Sequence, residues 1–371
     1  MDFTLTSEQE AVRRTFRDFS NQRIRPIAAE LDRHPRFPVE IFRALGDLGF
    51  FGMRYAPPLG SGADILSYLI AVEELARGSL GVAMCATIQS LMGTAYLAEH
   101  ASAELRARLL APALAGLQVG AICMTEPDAG SDLFAMTTRA EEAQNTWRVT
   151  GQKTWITSAP AADFFTVFAR TGAEELSIFL VERGAPGLAV GRAIEKMGVR
   201  TSLTSEVSFD QTPAVLLGAR GQGMESLRRL LAEIRVMTGA LAVGVAAAAL
   251  EDALAYAKER VQFGKPIAEH QAIQLHLAEM VTELEAARRM VHWAGWRSEQ
   301  KLPNADESAM AKLFASEAAL RICDRAARIM ASYGYANDYP VERYLRDVRF
   351  TLIGGGTSEI LKLNIARGLV R

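Results

Sequence analysis

Val119-Gly120-Ala121-Ile122-Cys123-Met124-Thr125-Glu126-Pro127-Asp128-Ala129-Gly130-Ser131-Asp132 is the stretch where the texture of the chain changes. Its first half is short, apolar and β-branched, as a strand requires, and Pro127, Asp128 and Gly130 then impose a turn. Before it, apolar residues recur at helical spacing. Ser7 and Glu10 have the spacing of a capping box, with Val12, Phe16 and Phe19 on one face and a stop expected at Pro26; further helices are expected over Pro38 to Gly49, Asp64 to Ala76, Leu80 to Glu99 and Ala103 to Leu114. After it come further short runs, Met136 to Ala140, Thr146 to Thr150, Phe164 to Ala169, Ser177 to Val181 and Ser205 to Phe209, with turn residues between them. Strands in series without intervening helices predict an antiparallel barrel or sandwich.

From Gly223 the helical period returns in long segments, Met224 to Val261, Ala268 to Gln300, Asp306 to Ser332 and a last helix from Ser358, punctuated by Pro266, Pro303 and Gly334 to Pro340. The expected fold is therefore α+β in three parts: an N-terminal helical domain (1–117), a middle antiparallel β-barrel or sandwich domain (118–214) and a C-terminal four-helix bundle domain (215–371).

Composition narrows the partners. With 41 basic and 43 acidic residues in 371, the formal charge of -2 gives no electrostatic reason to expect nucleic acid or an anionic membrane. Cys85, Cys123 and Cys323 are widely spaced and form no C-x-x-C pair, so neither a disulfide framework nor a metal site is implied, and a cytoplasmic location is the expectation. Met1-Asp2-Phe3-Thr4-Leu5-Thr6 lacks the basic start and apolar core of a signal peptide. The apolar run Val236 to Leu254 lies inside a longer helical pattern and reads as a buried helix rather than a membrane span.

Two motifs carry the ligand chemistry. Met124 to Asp132 offers a hydroxyl, backbone amides after Pro and Gly, and an acidic end; Trp155-Ile156-Thr157 sets a flat aromatic two residues from another hydroxyl. Together they suit one planar, polar-edged ligand, although spacing alone favours the plainer reading of a turn at Pro127-Asp128 and a core tryptophan. Gly354-Gly355-Gly356-Thr357-Ser358-Glu359 is a glycine run opening a helix, whose amides can approach a thioester oxygen or a phosphate.

These motifs, with Gly151-Gln152-Lys153-Thr154, Glu259-Arg260-Val261-Gln262-Phe263-Gly264-Lys265 and Tyr339-Pro340-Val341-Glu342-Arg343, appear in an order that resembles the acyl-CoA dehydrogenase family over nearly the whole chain. The resemblance implies FAD as cofactor and an acyl thioester on CoA or an acyl-carrier protein as substrate. It further implies electron transfer to an electron-transfer flavoprotein and a homodimer or homotetramer. Carried over residue by residue, it assigns Met124, Thr125, Gly130, Ser131, Trp155, Thr157, Arg260, Phe263, Gln271, Arg328, Thr357 and Glu359 to FAD. It assigns Ser131, Arg235 and Gly355 to the substrate, with the Gly355 amide on the thioester carbonyl.

The catalytic base is where the chain departs from that pattern. Many members carry a glutamate at the position of Gly355; others supply it from the first long helix of the C-terminal domain, immediately before an arginine, where Arg235 puts Ile234. Glu233 is the adjacent carboxylate, about 100° around the helix, and is the candidate base; its bland alternative is a carboxylate paired with Arg229. Ala331 and Ser332 stand where members commonly have adjacent glycines. Three functions stay open: α,β-dehydrogenation of an acyl thioester, a related flavin oxidation or oxygenation of a carrier-bound intermediate, and a base-lacking subunit of a hetero-oligomer.

Overall fold

The computed structural model describes residues 4–143 and 146–370; the N-terminal reading at Met1 to Phe3 lies outside them. The first part is helical: α1 (Ser7–Phe19), α2 (Ala28–Arg33), α3 (Val39–Asp47), α4 (Ile65–Gly78), α5 (Leu80–Thr87), α6 (Ala95–His100) and the short turns α7 (Ala103–Leu105) and α8 (Ala111–Leu114). The capping box at α1 sits one residue earlier than the spacing suggested. Thr6 accepts from Gln9 N–H at 3.2 Å, and Gln9 Oε1 accepts from Thr6 N–H at 3.0 Å. Pro26 does not end the helical course, because it falls in the first turn of a new 3₁₀ segment, where its missing N–H costs nothing, and α2 follows.

The middle part is β1 (Gly120–Cys123), β2 (Arg139–Ala143), β3 (Thr146–Thr157), β4 (Phe164–Arg170), β5 (Leu176–Glu182), β6 (Leu188–Ala193) and β7 (Thr204–Leu217). Pairings β4-β2-β3-β7-β5 return to β4 and close a ring, with β6 added on β7. The sheet is mixed rather than purely antiparallel, since β1 and β2 both run parallel to β4. β6 has no counterpart among the expected strands; its Gly and Arg interrupt the apolar alternation that marks the others. β4 and β5 are buried on both faces, which is why they read as continuous apolar runs.

The last part comprises α9 (Gly223–Glu259), a hairpin of β8 (Val261–Gln262) and β9 (Lys265–Pro266), then α10 (Gln271–Glu299), α11 (Ala305–Met330), α12 (Val341–Val348) and α13 (Ser358–Leu369). Helices α9, α10 and α11 pack on one another, and α13 packs on α11. The apolar run of α9 is mostly buried in this bundle and against α4, where Gly244 lets the helices touch: a Cβ there would fall 2.2 Å from Glu73 O. Arg346 on α12 joins the three parts, pairing with Asp32 at 2.6 Å and donating to Met197 O at 3.0 Å.

Candidate functional site

The turn at the head of the site is held from beneath. Glu126 N–H donates to Ala129 O at 2.8 Å and Ala129 N–H donates back to Glu126 O at 3.2 Å, so the chain reverses over Pro127 and Asp128. The Glu126 carboxylate points inward and accepts from Thr137 N–H (2.7 Å), Thr137 Oγ1 (2.8 Å), Thr138 N–H (2.9 Å) and Lys153 Nζ (2.9 Å). Burial alone raises a carboxyl pKa, but Thr138, Thr137 and Lys153 outweigh it and bring Glu126 down to about 2. Lys153 also donates to Met124 O at 3.1 Å. These bonds fix the backbone of Met124 and Thr125 and leave Gly130, Ser131 and Asp132 exposed.

The tryptophan motif is tied to the same turn, for Thr154 N–H donates to Thr125 O at 2.9 Å. Between Lys153 and Ile156 the register of β3 against β7 slips, and Trp155 takes φ 59°, a left-handed conformation costly for a bulky residue. That bulge turns the indole out of the sheet, 57 % exposed, while Ile156 stays buried and Thr157 pairs with Thr204. Backbone strain of this kind, with a large apolar ring left bare, marks a surface built to be covered.

Across the bundle, Gly355 and Gly356 both have positive φ (72° and 105°) and lead into Thr357, whose hydroxyl caps α13 by accepting from Ile360 N–H at 3.3 Å. A Cβ on Gly355 would meet Thr238 Oγ1 at 3.0 Å and Ile234 Cγ2 at 3.7 Å. The two family base positions therefore face each other, and neither holds a carboxylate. Glu233 lies on the adjacent face of α9, where it is ion-paired with Arg54, itself 5.7 Å from the centroid of the Tyr68 ring. The expected partner Arg229 instead pairs with Glu99 and Glu225.

A groove at the far end gathers Arg260, Phe263 and Tyr333 with residues 329–332. Phe263 (φ 52°) and Gly264 (φ 80°) form the two-residue turn of the β8–β9 hairpin, and the Phe263 ring is 95 % exposed. The Arg260 guanidinium lies 5.8 Å from the centroid of Tyr333. Ala331 adopts φ 50°, a conformation glycine takes freely, so the backbone keeps its turn here at some strain. Gln271 opens α10 and is exposed; Arg328 is exposed and paired with Asp324 at 3.0 Å; Glu359 is exposed.

The donor set fits the cofactor that the motifs imply. A bare indole beside a fixed turn offers a face and an edge to an isoalloxazine, and an exposed aromatic hairpin beside an arginine suits an adenine and a pyrophosphate. Sequence reasoning did not single out Glu126, Lys153, Arg54, Thr238 or Lys312. For Lys312 a signal existed, since it interrupts the apolar run Ala309-Met310-Ala311 and Leu313-Phe314-Ala315 of α11; Lys153 sits in the polar stretch Gly151-Gln152-Lys153-Thr154 and gave none.

Comparison with known proteins covers the whole molecule. The chain matches the acyl-CoA dehydrogenase N-terminal domain over residues 6–117, the middle domain over 121–212 and the C-terminal domain over 221–370. It is 57% identical over 373 residues to a benzylmalonyl-CoA dehydrogenase of Aromatoleum aromaticum, covering 99% of each chain. The butyryl-CoA dehydrogenase structure from Megasphaera elsdenii superposes with TM-score 0.96 at 34% identity, covering all of both chains. A structure of PigA with FAD and proline superposes with TM-score 0.95 at 29% identity, over 100% of this chain and 99% of that one.

Proposed function

The chain belongs to the acyl-CoA dehydrogenase family, and from that membership we propose that it oxidises the α,β bond of an aryl-bearing, 2-carboxylated acyl-CoA of the benzylmalonyl type. It is a flavin-dependent oxidoreductase acting on CH–CH bonds of acyl-CoA thioesters, with FAD as cofactor. When bound, FAD supplies a two-electron acceptor for the hydrogen on the β-carbon.

The chain's own residues divide the remaining work. Trp155 would cover the flavin, and Thr125 and Thr157 would hydrogen-bond its edge, on a turn held by the Glu126–Lys153 pair. Across from them the Gly355 amide would donate to the thioester carbonyl, stabilising charge that develops on oxygen as the α-carbon gives up its substituent. The observation that favours a 2-carboxylated substrate is the 57% identity to a relative named for benzylmalonyl-CoA. CoA is preferred to a carrier protein because the 57% identical relative is named for a CoA thioester.

The exposed Phe263 hairpin, together with Leu275, Val281, Trp293 and Trp296 exposed along α10, supports a homodimer or homotetramer in which a second copy completes the adenine end of the cofactor site. An electron-transfer flavoprotein is the expected electron acceptor, and the three buried, unpaired cysteines support a reducing compartment such as the cytoplasm.

The direct test loads purified protein with FAD and follows the flavin absorbance anaerobically against a panel of acyl-CoAs, including 2-benzylmalonyl-CoA. Bleaching by that thioester supports the reading. Absence of bleaching with every acyl-CoA sinks it.

A further inference from the structure

Among the described residues, some inward-reaching cations have no carboxylate at ion-pair distance. Arg235, whose Nη1 donates to Ala305 O at 3.3 Å, and Lys312, whose Nζ donates to Gly356 O at 2.7 Å, lie in the helical bundle. Lys196 lies elsewhere, in the loop between β6 and β7. It is half-buried, and its Nζ donates to Ser202 O and, at 3.0 Å, to Thr204 Oγ1, both on buried residues. Neutral groups surround it: from α5 comes the Cys85 thiol, with the Ser158 and Ser202 hydroxyls beside that thiol. The charges that face it are few. Asp347 on α12 acts on the ammonium only at longer range while accepting from Val199 N–H at 2.6 Å, and Arg200 turns its head to Asp32 at 3.9 Å.

Position gives this charge a use. Thr204 is the cross-strand partner of Thr157, and residues directly opposite in an antiparallel pair project from the same face. Their Cβ atoms lie about 5 Å apart in such a pair, so the ammonium is within about 10 Å of Thr157, the residue read as bonding the flavin edge. Two backbone bonds lock that register: Ser158 N–H donates to Leu203 O at 2.7 Å, and Ile194 N–H donates to Thr204 O at 2.8 Å.

Resting on the flavin-dehydrogenase reading above, we propose that Lys196 is a positioning residue that acts by charge: its ammonium, held on the flavin-facing side of the β3–β7 pair, favours the reduced flavin over the oxidised one. Hydride arrival adds one negative charge to the ring system. A unit positive charge about 10 Å away in a partly buried setting is worth about tenfold in that equilibrium. Ser202 and Thr204 fix where the ammonium stands, so it meets the new charge without rearrangement. Burial pushes Lys196 down to about 8, so the ammonium is present at neutral pH and is lost as pH rises through that value. Burial pushes Asp347 up to about 6 and Cys85 up to about 12, so both titrate outside that window.

The test measures the flavin midpoint potential of the FAD-loaded chain by anaerobic equilibration with a reference dye, at neutral pH and again at about pH 10, above the lysine's range. At neutral pH Lys196→Met and Lys196→Gln should each sit about 30 mV below the parent, the tenfold loss converted for a two-electron couple. Lys196→Arg, which keeps the charge, should stay within about twofold of the parent ratio. At the alkaline pH the parent should fall into line with the two neutral variants. Glutamine can still donate to Ser202 O and Thr204 Oγ1, so it carries the test should Lys196→Met fail to fold. A parent potential restored by Lys196→Gln would show that the hydrogen bonds alone matter and overturn the proposal. Equal potentials in the parent and both neutral variants, or a gap unchanged at the alkaline pH, overturn it as well. Failure of the parent to take up FAD at all overturns the flavoenzyme reading itself, a distinct result.

Discussion

Lys153 Nζ lies 2.9 Å from Glu126 Oε1 with both side chains buried, and the same ammonium holds Met124 O at 3.1 Å. One buried ion pair thus clamps the turn on which the flavin-facing half of the site is built. Removing one partner strands the other charge without water. Lys153→Met should cost about 3–5 kcal/mol in denaturant unfolding and weaken FAD binding, whereas Lys153→Met with Glu126→Gln should recover part of the stability. Equal losses in the single and double variants would show that the pair is not coupled.

The same pair sets an acid limb. Glu126 sits at about 2 in the folded chain against 4.5 for an unperturbed glutamate, so its contribution is complete above the unfolded value. That contribution is lost as pH falls from 4.5 toward 2. Stability measured across that window should decline in the parent and decline less steeply in Glu126→Gln, with the difference between the two curves shrinking as the pH drops.

Trp155 is exposed and contributes little to the core, so Trp155→Ala should leave the unfolding midpoint near that of the parent. Its effect belongs to the cofactor: loss of one stacked aromatic face should weaken FAD by about tenfold and raise the solvent quenching of flavin fluorescence. Unchanged affinity and unchanged fluorescence would remove the indole from the flavin site.

Phe263, at the tip of the β8–β9 hairpin, is the test of assembly. Phe263→Ser leaves the monomer core untouched, since the ring is 95 % exposed, and should lower the mass seen by light scattering or weaken FAD retention. A parent that is already monomeric would contradict the assembly reading.

The three-part architecture was legible because each part obeys its own period: 3.6 residues in α4 and α9 to α11, short β-branched runs in β4, β5 and β7. What escaped was decided by tertiary contact. β6 is an added strand on β7 with little apolar signal, Pro26 starts a turn instead of ending one, and the parallel pairing of β1 and β2 with β4 depends on how the ring closes. In the site, Thr125, Trp155 and Gly355 were readable as motifs. The emptiness of the base positions was readable too, from the family resemblance that puts Ile234 and Gly355 there, and the two positions face each other. Their surroundings were not: the Arg54–Glu233 pair and the buried cations Arg235 and Lys312 are contacts between distant segments, and no local pattern encodes them.

The central claim is that the chain holds FAD against the Trp155 turn and oxidises an acyl-CoA with it. An anaerobic titration of the FAD-loaded protein with 2-benzylmalonyl-CoA, with mass analysis of the product, decides it most directly. The account predicts bleaching of the flavin absorbance and one α,β-unsaturated thioester for each flavin reduced. Unchanged absorbance with that thioester and with every other acyl-CoA tried would contradict it.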